Sequence, residues 1–390
     1  MADNIIHLVL ARTPNSPPGT KGISLFIVPK HVVNDDGSLG ERNDVTCVSL
    51  EHKLGLHGSP TCVLSYGDAG GARGWMLGEE HGGMRAMFAM MNNARLSVGL
   101  QGVAAAERAY QQALAFAHER RQGRAPGAPA GEPSPIVDHP DVQRMLLDMR
   151  TSVAAIRGLC YRNAAALDRA HRTTDADERR EADQLAALLI PLSKAWSTDV
   201  ACEVTSTGIQ VHGGMGYVEE TGASQHLRDV RVAAIYEGTN GIQAIDLVGR
   251  KLPMDGGAVI SRHLASVRAT ADTAGHVPGL GDAAAHLVAA VDAAEEATTW
   301  LLETGASNPL AGFPGATNYL ELLAVTTGGE TLIAAAIAAA EHLDEDAAED
   351  RAVLARHFAS TRLARVPGMV AGVTSLGDDL AAARMRLLEV

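Results

Sequence analysis

The chain has 390 residues, 46% of them hydrophobic and 20% charged, an ordinary globular balance long enough for two or three domains. Its formal net charge of -13 argues against a general nucleic-acid binder, which needs basic surface to neutralise phosphates. Four cysteines, Cys47, Cys62, Cys160 and Cys202, are scattered without metal-ligand spacing and are expected to be buried small apolar residues in a reducing compartment.

The opening MADNIIHLVLAR lacks a basic n-region and a small-residue cleavage site, and the longest apolar run, Leu332 to Ala340, is too short to span a bilayer. A cytoplasmic protein without membrane insertion is expected. Residues 1 to about 78 then read as strands, at Asn4 to Ala11, Gly22 to Val28, Asp44 to Leu50 and Thr61 to Tyr66, separated by turn clusters such as TPNSPPGTKG and NDDGSLG. With no helix between them, they predict an antiparallel sheet or a piece of a barrel.

From Glu79 to about Arg250 the pattern turns helical. In MMNNARLSVGLQGVA, Arg95 lies on a helix among apolar neighbours, where it either snorkels to solvent or meets an acid. In AHERRQG, the arginines either hold phosphates or neutralise a helix C-terminus, before a Pro/Gly loop from Gly123 to Pro135. Pro140 suits a first helical position capped by Asp138 or His139, and Val142, Leu146, Met149, Val153, Ile156 and Cys160 follow along one face. A second long helix is predicted over about Arg180 to Gln210, with Leu185, Leu189, Leu192, Trp196 and Val200 on one face and Pro191 as a kink or first-turn residue. QVHGGMGY follows; its glycines permit either close approach to a ligand or a helix stop and turn.

The stretch AIYEGTNGIQ places one carboxylate, Glu237, between an apolar run and a turn. Thr239 or Asn240 can cap the helix that follows, whose inward face is predicted to include Ile242, Ile245 and Val248. Apolar residues Val232 to Ile235 would desolvate Glu237 and raise its pKa, against the pull of the helix N-terminus. Such an acid serves either as a surface or capping group, or as a base beside a carbonyl. After about Lys251 the chain is Ala-rich and helical to its end, with breaks near Pro278, Pro314 and Pro367, and reads as an appended bundle for packing or assembly.

Together, KGISLFIVPK, EHKLGLHGSPTC, LGEEHGGM, NNARLSVGLQGVA, ERRQG, QVHGGMGY and RDVRVAAIYEGTNGIQ resemble the acyl-CoA dehydrogenase family over Met1 to about Arg250. The Ala-rich tail resembles the extra C-terminal domain of larger members such as the 3-methylthiopropanoyl-CoA dehydrogenases. The resemblance implies a mainly α fold with a partial β-domain: the second half of a middle β-domain over 1–78, a catalytic helical bundle over 79–250 and an appended helical domain over 251–390. It implies FAD-dependent α,β-dehydrogenation of an acyl-CoA thioester, with electrons passing to an electron-transfer flavoprotein in a homodimer or homotetramer.

On the same resemblance Glu237 is the base, and its backbone N–H, with a flavin ribityl hydroxyl, holds the thioester carbonyl. Some subfamilies carry the base immediately before the residue matching Arg95, but that position is Ala94 here. Arg120, Gln122, Gln210, Gly214 and Thr239 match FAD-binding positions, and Arg95, Asn92 and Gly238 lie on the substrate side. Gly241 replaces a common glutamine, and Asn92 replaces an acid often found three residues before the arginine. The chain enters the family pattern mid-barrel, so a truncated form that keeps the base but binds FAD poorly alone is expected. A non-catalytic assembly or regulatory subunit, and an acyl-CoA oxidase, are the alternatives.

Overall fold

In the computed structural model, residues 2–388 are described except Pro309, and the side chains of Ala89, Asn92, Asp378, Asp379, Ala381 and Met385 lie outside that description. The chain divides into two compact units, Met1–Ala94 and Arg95–Val390.

In the first unit β1 (Ile6–Arg12) pairs antiparallel with β2 (Ile23–Pro29), from Ile6 opposite Pro29 to Arg12 opposite Ile23. β3 (His31–Val33) pairs with β4 (Leu39–Arg42), and β5 (Val45–Leu50) pairs with β6 (Cys62–Tyr66). β7 (Trp75–Leu77) closes the other edge of β2. Antiparallel sheet is therefore present, as predicted, with three further strands. β3, β4 and β7 are too short for a two-residue period to show in sequence, and β7 owes its existence to a partner far away in the chain. Asn43 ties the loops together: its amide donates to the carbonyls of Pro29 and Arg73, both at 2.8 Å, and accepts from the Arg73 N–H at 2.8 Å.

The second unit is helical. It begins at Arg95, inside the long helix α1 (Gly83–Glu119), and the long helices α2 (Pro140–Arg172) and α3 (Ala176–His212) are followed by the short α4 (Ala223–Val230) and α5 (Asn240–Asp246). Then come α6 (Ala258–Ala274), α7 (Gly281–Ser307), α8 (Ala316–His342), α9 (Glu345–Thr361), α10 (Val370–Thr374) and α11 (Leu376–Leu387). Pro140 is the first residue of α2 with His139 as cap, and the predicted face from Leu146 to Cys160 is buried. α3 begins earlier than predicted because Asp175 accepts the N–H groups of Asp177 and Glu178 at 2.8 and 3.0 Å, a capping the hydrophobic pattern does not carry. Pro191 lies inside α3.

Two glycines of NNARLSVGLQGVA set the approach of α1 to α3. A Cβ on Gly99 would lie 2.6 Å from the Ser193 carbonyl oxygen, and one on Gly102 would lie 2.7 Å from that of Ser197. α8 is, among the described residues, the one helix long and apolar enough to cross a membrane by length and composition; 72% of its apolar window is buried inside this unit. The nine-residue run from Leu332 therefore understates its apolar length, and the helix serves as a core element. Gly328 on α8 admits the Trp196 ring, which would lie 2.6 Å from an added Cβ.

Candidate functional site

The site is built where the chain leaves α4 and enters α5. A 3-10 turn, Arg231–Ala234, leads to Ile235 and Tyr236. Glu237 then adopts φ +54° and Gly238 φ +87°, two successive left-handed residues. Glycine does this freely, whereas a glutamate held there stores strain of about 1–3 kcal/mol and persists only where the surroundings over-determine it. Glu237 is half-buried. Its backbone N–H donates no hydrogen bond among the described residues. Thr239 caps α5 by accepting the Ile242 N–H at 3.3 Å. The Tyr236 hydroxyl donates to the Gln101 side-chain oxygen on α1.

The inward face of α5 differs from the predicted one. Gln243, Ala244, Asp246 and Leu247 are buried, while Ile242 and Ile245 are exposed and Val248 is half-buried. The period is helical as expected, but polar partners rather than the isoleucines fix its rotation. Asp246 sits 3.5 Å from the buried Arg95 guanidinium of α1 and 2.5 Å from Arg250. Gln243 donates to the Gly238 carbonyl at 3.5 Å. Arg95 therefore meets an acid rather than snorkelling. Burial pulls its pKa down and Asp246 pulls it back up. Its outer guanidinium nitrogen would lie 3.7 Å from a Cβ on Gly238, and the Gln243 amide 2.9 Å from it, so Arg95 and Gln243 converge on the residue after Glu237. Arg95 Nε and Gln243 Oε1 are both buried without a hydrogen-bond partner, a donor and an acceptor on the same small patch.

Sequence reasoning missed Lys194. It is fully buried on α3, and its Nζ donates to Asn240 Oδ1 at 2.8 Å. The Asn240 amide nitrogen donates in turn to the Ala195 carbonyl at 3.1 Å, Thr198 Oγ1 at 3.0 Å and Asp199 Oδ1 at 2.8 Å. Burial lowers the Lys194 pKa to about 8, opposed by the Asp199 carboxylate and to a lesser extent by Glu237. A lysine inside LLIPLSKAWS, flanked by core positions, was the signal available.

The other predicted residues lie at the ends of α1 and α3. Arg120 Nη2 donates to Gln122 Oε1 at 3.3 Å, and both side chains are exposed. The Gln122 N–H donates to Ser134, and His139 holds the Gln122 carbonyl at 2.9 Å, fixing the chain there. Gln210 is exposed in the last turn of α3. In the glycine run, Gly213 ends that helix with φ +58°, and Gly216 lets the turn close on the Ile209 carbonyl, 2.2 Å from where a Cβ would be. Gly214 faces open space. Phe116 stacks on His212 with ring centroids 4.5 Å apart and so joins the two helix ends. Asn92 lies outside the described side chains. A cavity of about 880 Å³ in the first unit, lined by His7, His31, Arg42, Cys47, Cys62 and apolar residues, includes none of the predicted site residues.

A left-handed glutamate just before a helix start and a buried arginine close to the following glycine are thus brought into one region. Two family models match the chain: the acyl-CoA dehydrogenase C-terminal domain over residues 81–252, and the acetyl-CoA dehydrogenase C-terminal-like domain over residues 263–384. The 3-methylmercaptopropionyl-CoA dehydrogenase of Ruegeria pomeroyi is 41% identical over 393 residues, covering 99% of this chain and 66% of that protein. A butyryl-CoA dehydrogenase of Syntrophomonas wolfei is 41% identical over 270 residues, covering 68% of this chain and 44% of that one. The chain belongs to the acyl-CoA dehydrogenase family. It thus spans less than two thirds of the length of these curated relatives. Among solved structures, the acyl-CoA dehydrogenase complexed with FAD from Bacillus anthracis superposes with a TM-score of 0.75 at 20% identity, covering 97% of this chain and 63% of that one. Caenorhabditis elegans ACDH-11 gives 0.77 at 20% identity, covering 98% and 60%. At that identity the two likenesses concern the fold: helical, with a small antiparallel sheet region.

Proposed function

We propose that this chain carries the proton-abstracting machinery of an FAD-dependent acyl-CoA dehydrogenase, with Glu237 as the base. The observation that carries the proposal is the Glu237 backbone, left-handed and with an unpaired N–H, in a chain of this family. The carboxylate takes the α-proton of the thioester. The N–H of the same residue holds the thioester carbonyl, so negative charge builds on an oxygen already facing a donor. Gly238 lets the backbone turn without a side chain between Glu237 and Arg95. The buried Arg95 keeps positive charge beside that developing charge, with Asp246 fixing its direction.

The residues present fit the cofactor. Thr239 uses its oxygen as the helix cap and keeps its hydroxyl proton to donate, Arg120, Gln122 and Gln210 present exposed polar ends, and Gly214 leaves open room. The FAD, when bound, accepts the hydride leaving the β-carbon. An electron-transfer flavoprotein as acceptor, a homodimer or homotetramer, and a cytoplasmic setting belong to the same reading.

Glu237→Gln keeps the shape and removes the base. With an acyl-CoA and an artificial electron acceptor, it should slow the flavin-loaded protein by about 10²–10⁴-fold, the usual contribution of a positioned general base. An unchanged rate would sink the assignment. Retention of FAD after desalting, followed by anaerobic bleaching with one acyl-CoA of a panel, would name the substrate class. Failure to retain FAD would favour the non-catalytic subunit, and rapid reoxidation by oxygen would favour the oxidase.

A further inference from the structure

A fully buried lysine is rare, and LLIPLSKAWS offers an apolar environment that a methionine or leucine would fill at less cost. Lys194 instead reaches from α3 to one atom, the side-chain oxygen of Asn240. Asn240 is the first residue of α5 and stands three positions after Glu237. Its oxygen accepts a hydrogen bond from the ammonium while its two amide hydrogens face three acceptors on α3, so both ends of the amide are engaged and its flip is fixed. The charged groups facing Lys194 are Arg95 from α1, Asp199 from α3 and Glu237 from the turn. A methionine would spare the burial cost but would leave the Asn240 oxygen only the Thr198 hydroxyl, 3.4 Å away.

We propose that Lys194 is a positioning residue: through Asn240 it anchors the first turn of α5 on α3, and so fixes the left-handed Glu237–Gly238 backbone that presents the carboxylate and the N–H. The functional meaning rests on Glu237 being the base, whereas the anchor itself does not. The effect is geometric. A displacement of about 1 Å in a reacting group is enough to lose about 10²-fold in rate, and the only chain between anchor and base is Gly238 and Thr239.

The test is a double-mutant cycle on the chain as it stands, read by amide hydrogen exchange of α5 from Ile242 to Leu247. Lys194→Met should speed exchange there about tenfold, the loss of one charge-assisted hydrogen bond, and Asn240→Ala, which also removes the contacts of the amide nitrogen, by at least as much. The double variant should be no faster than Asn240→Ala alone, because that change already removes the acceptor that Lys194 holds. Exchange in α7 should not move. Rates that multiply in the double variant, or an α5 unaffected by Lys194→Met, would overturn the proposal. If Lys194→Met does not fold, Asn240→Ala alone decides: unchanged α5 exchange overturns it. In the flavin-loaded protein, Asn240→Ala should lower kcat with little change in KM, whereas a KM effect alone would refute positioning of the base. If Glu237→Gln leaves turnover intact, the dehydrogenase reading fails while the exchange cycle still tests the anchor.

Discussion

Gly238 shows how much one backbone position decides. With φ +87° and only 2.9 Å between an added Cβ and Gln243, any side chain there is strained and displaces a buried amide. Gly238→Ala should destabilise the helical unit by about 1–2 kcal/mol and tilt Glu237 away from Arg95. Urea melts beside those of the parent would show it, and an unshifted midpoint would mean that the turn relaxes freely. His263 is the second informative residue. The Thr327 hydroxyl donates to the Leu323 carbonyl at 2.8 Å, so the His263 ring must donate from Nε2 to Thr327, 3.0 Å away, leaving a buried Nδ1 without a partner. Burial, reinforced by Arg162, pushes its pKa down to about 3 from 6.5. The folded pKa is lowered, so between those values the unfolded chain binds the proton and the folded one does not. Stability from this group is complete above pH 6.5 and falls toward pH 3, by at most about 1.4 kcal/mol per unit. In melts at pH 7, 5 and 4, His263→Gln should show a flatter decline, and identical slopes would refute it.

At the scale of elements, the packing of α1 on α3 depends on missing side chains. Gly102 sits with the Ser197 carbonyl where its Cβ would be, and Gly99 does the same against Ser193. Gly102→Val should destabilise by about 1–3 kcal/mol through overpacking, well beyond any gain in helix propensity. Since α1 also carries Arg95, the same variant should weaken the Arg95–Asp246 contact and reduce activity. A thermal scan reading the parent's Tm would contradict this. The pair Arg162–Glu330 joins α2 to α8, and Thr270 of α6 donates to the same carboxylate at 3.0 Å. Burial raises the Glu330 pKa and Arg162 opposes it. Arg162→Met leaves that acid buried with Thr270 alone and should destabilise by about 3–5 kcal/mol, the range for breaking a buried pair from one side. Chemical denaturation measures it, and a loss below about 1 kcal/mol would mean that water replaces the arginine.

At the scale of the molecule, the helices on either side of residue 250 share one compact unit. Trp196 of α3 lies against Gly328 of α8 and edge-on to Phe358 of α9, and Asp148 of α2 pairs with His357 at 2.6 Å. A chain ending at Arg250 would leave Trp196 and its buried leucine neighbours uncovered, an apolar surface that favours aggregation. Expression of residues 1–250 should therefore give insoluble protein. A proteolytic nick in the Asp255–Gly257 turn should leave two fragments that co-elute. A soluble, cooperatively folding 1–250 chain would show that the appended helices are dispensable.

Much of this was legible in the residues. The order of the motifs carried the family, the helical period gave α3 nearly to its ends and the first two thirds of α2, and the turn after Glu237 narrowed the cap to Thr239 or Asn240, because each of these is a local property of consecutive side chains. The strands β3, β4 and β7 were not legible, since three or four residues hold no period and their pairing lies elsewhere in the chain. Nor was the face of α5, where Asp246 and Gln243 turn inward against Arg95 and the isoleucines turn out. Which polar group is buried depends on what arrives opposite it, and Arg95 arrives from about 150 residues away. Lys194 is the clearest case. Sequence places a lysine in an apolar run, and only the tertiary structure brings the Asn240 oxygen to its amine. Composition and period determined that there would be a helical core with an acid at a turn; the folded chain alone decided what holds that acid in place.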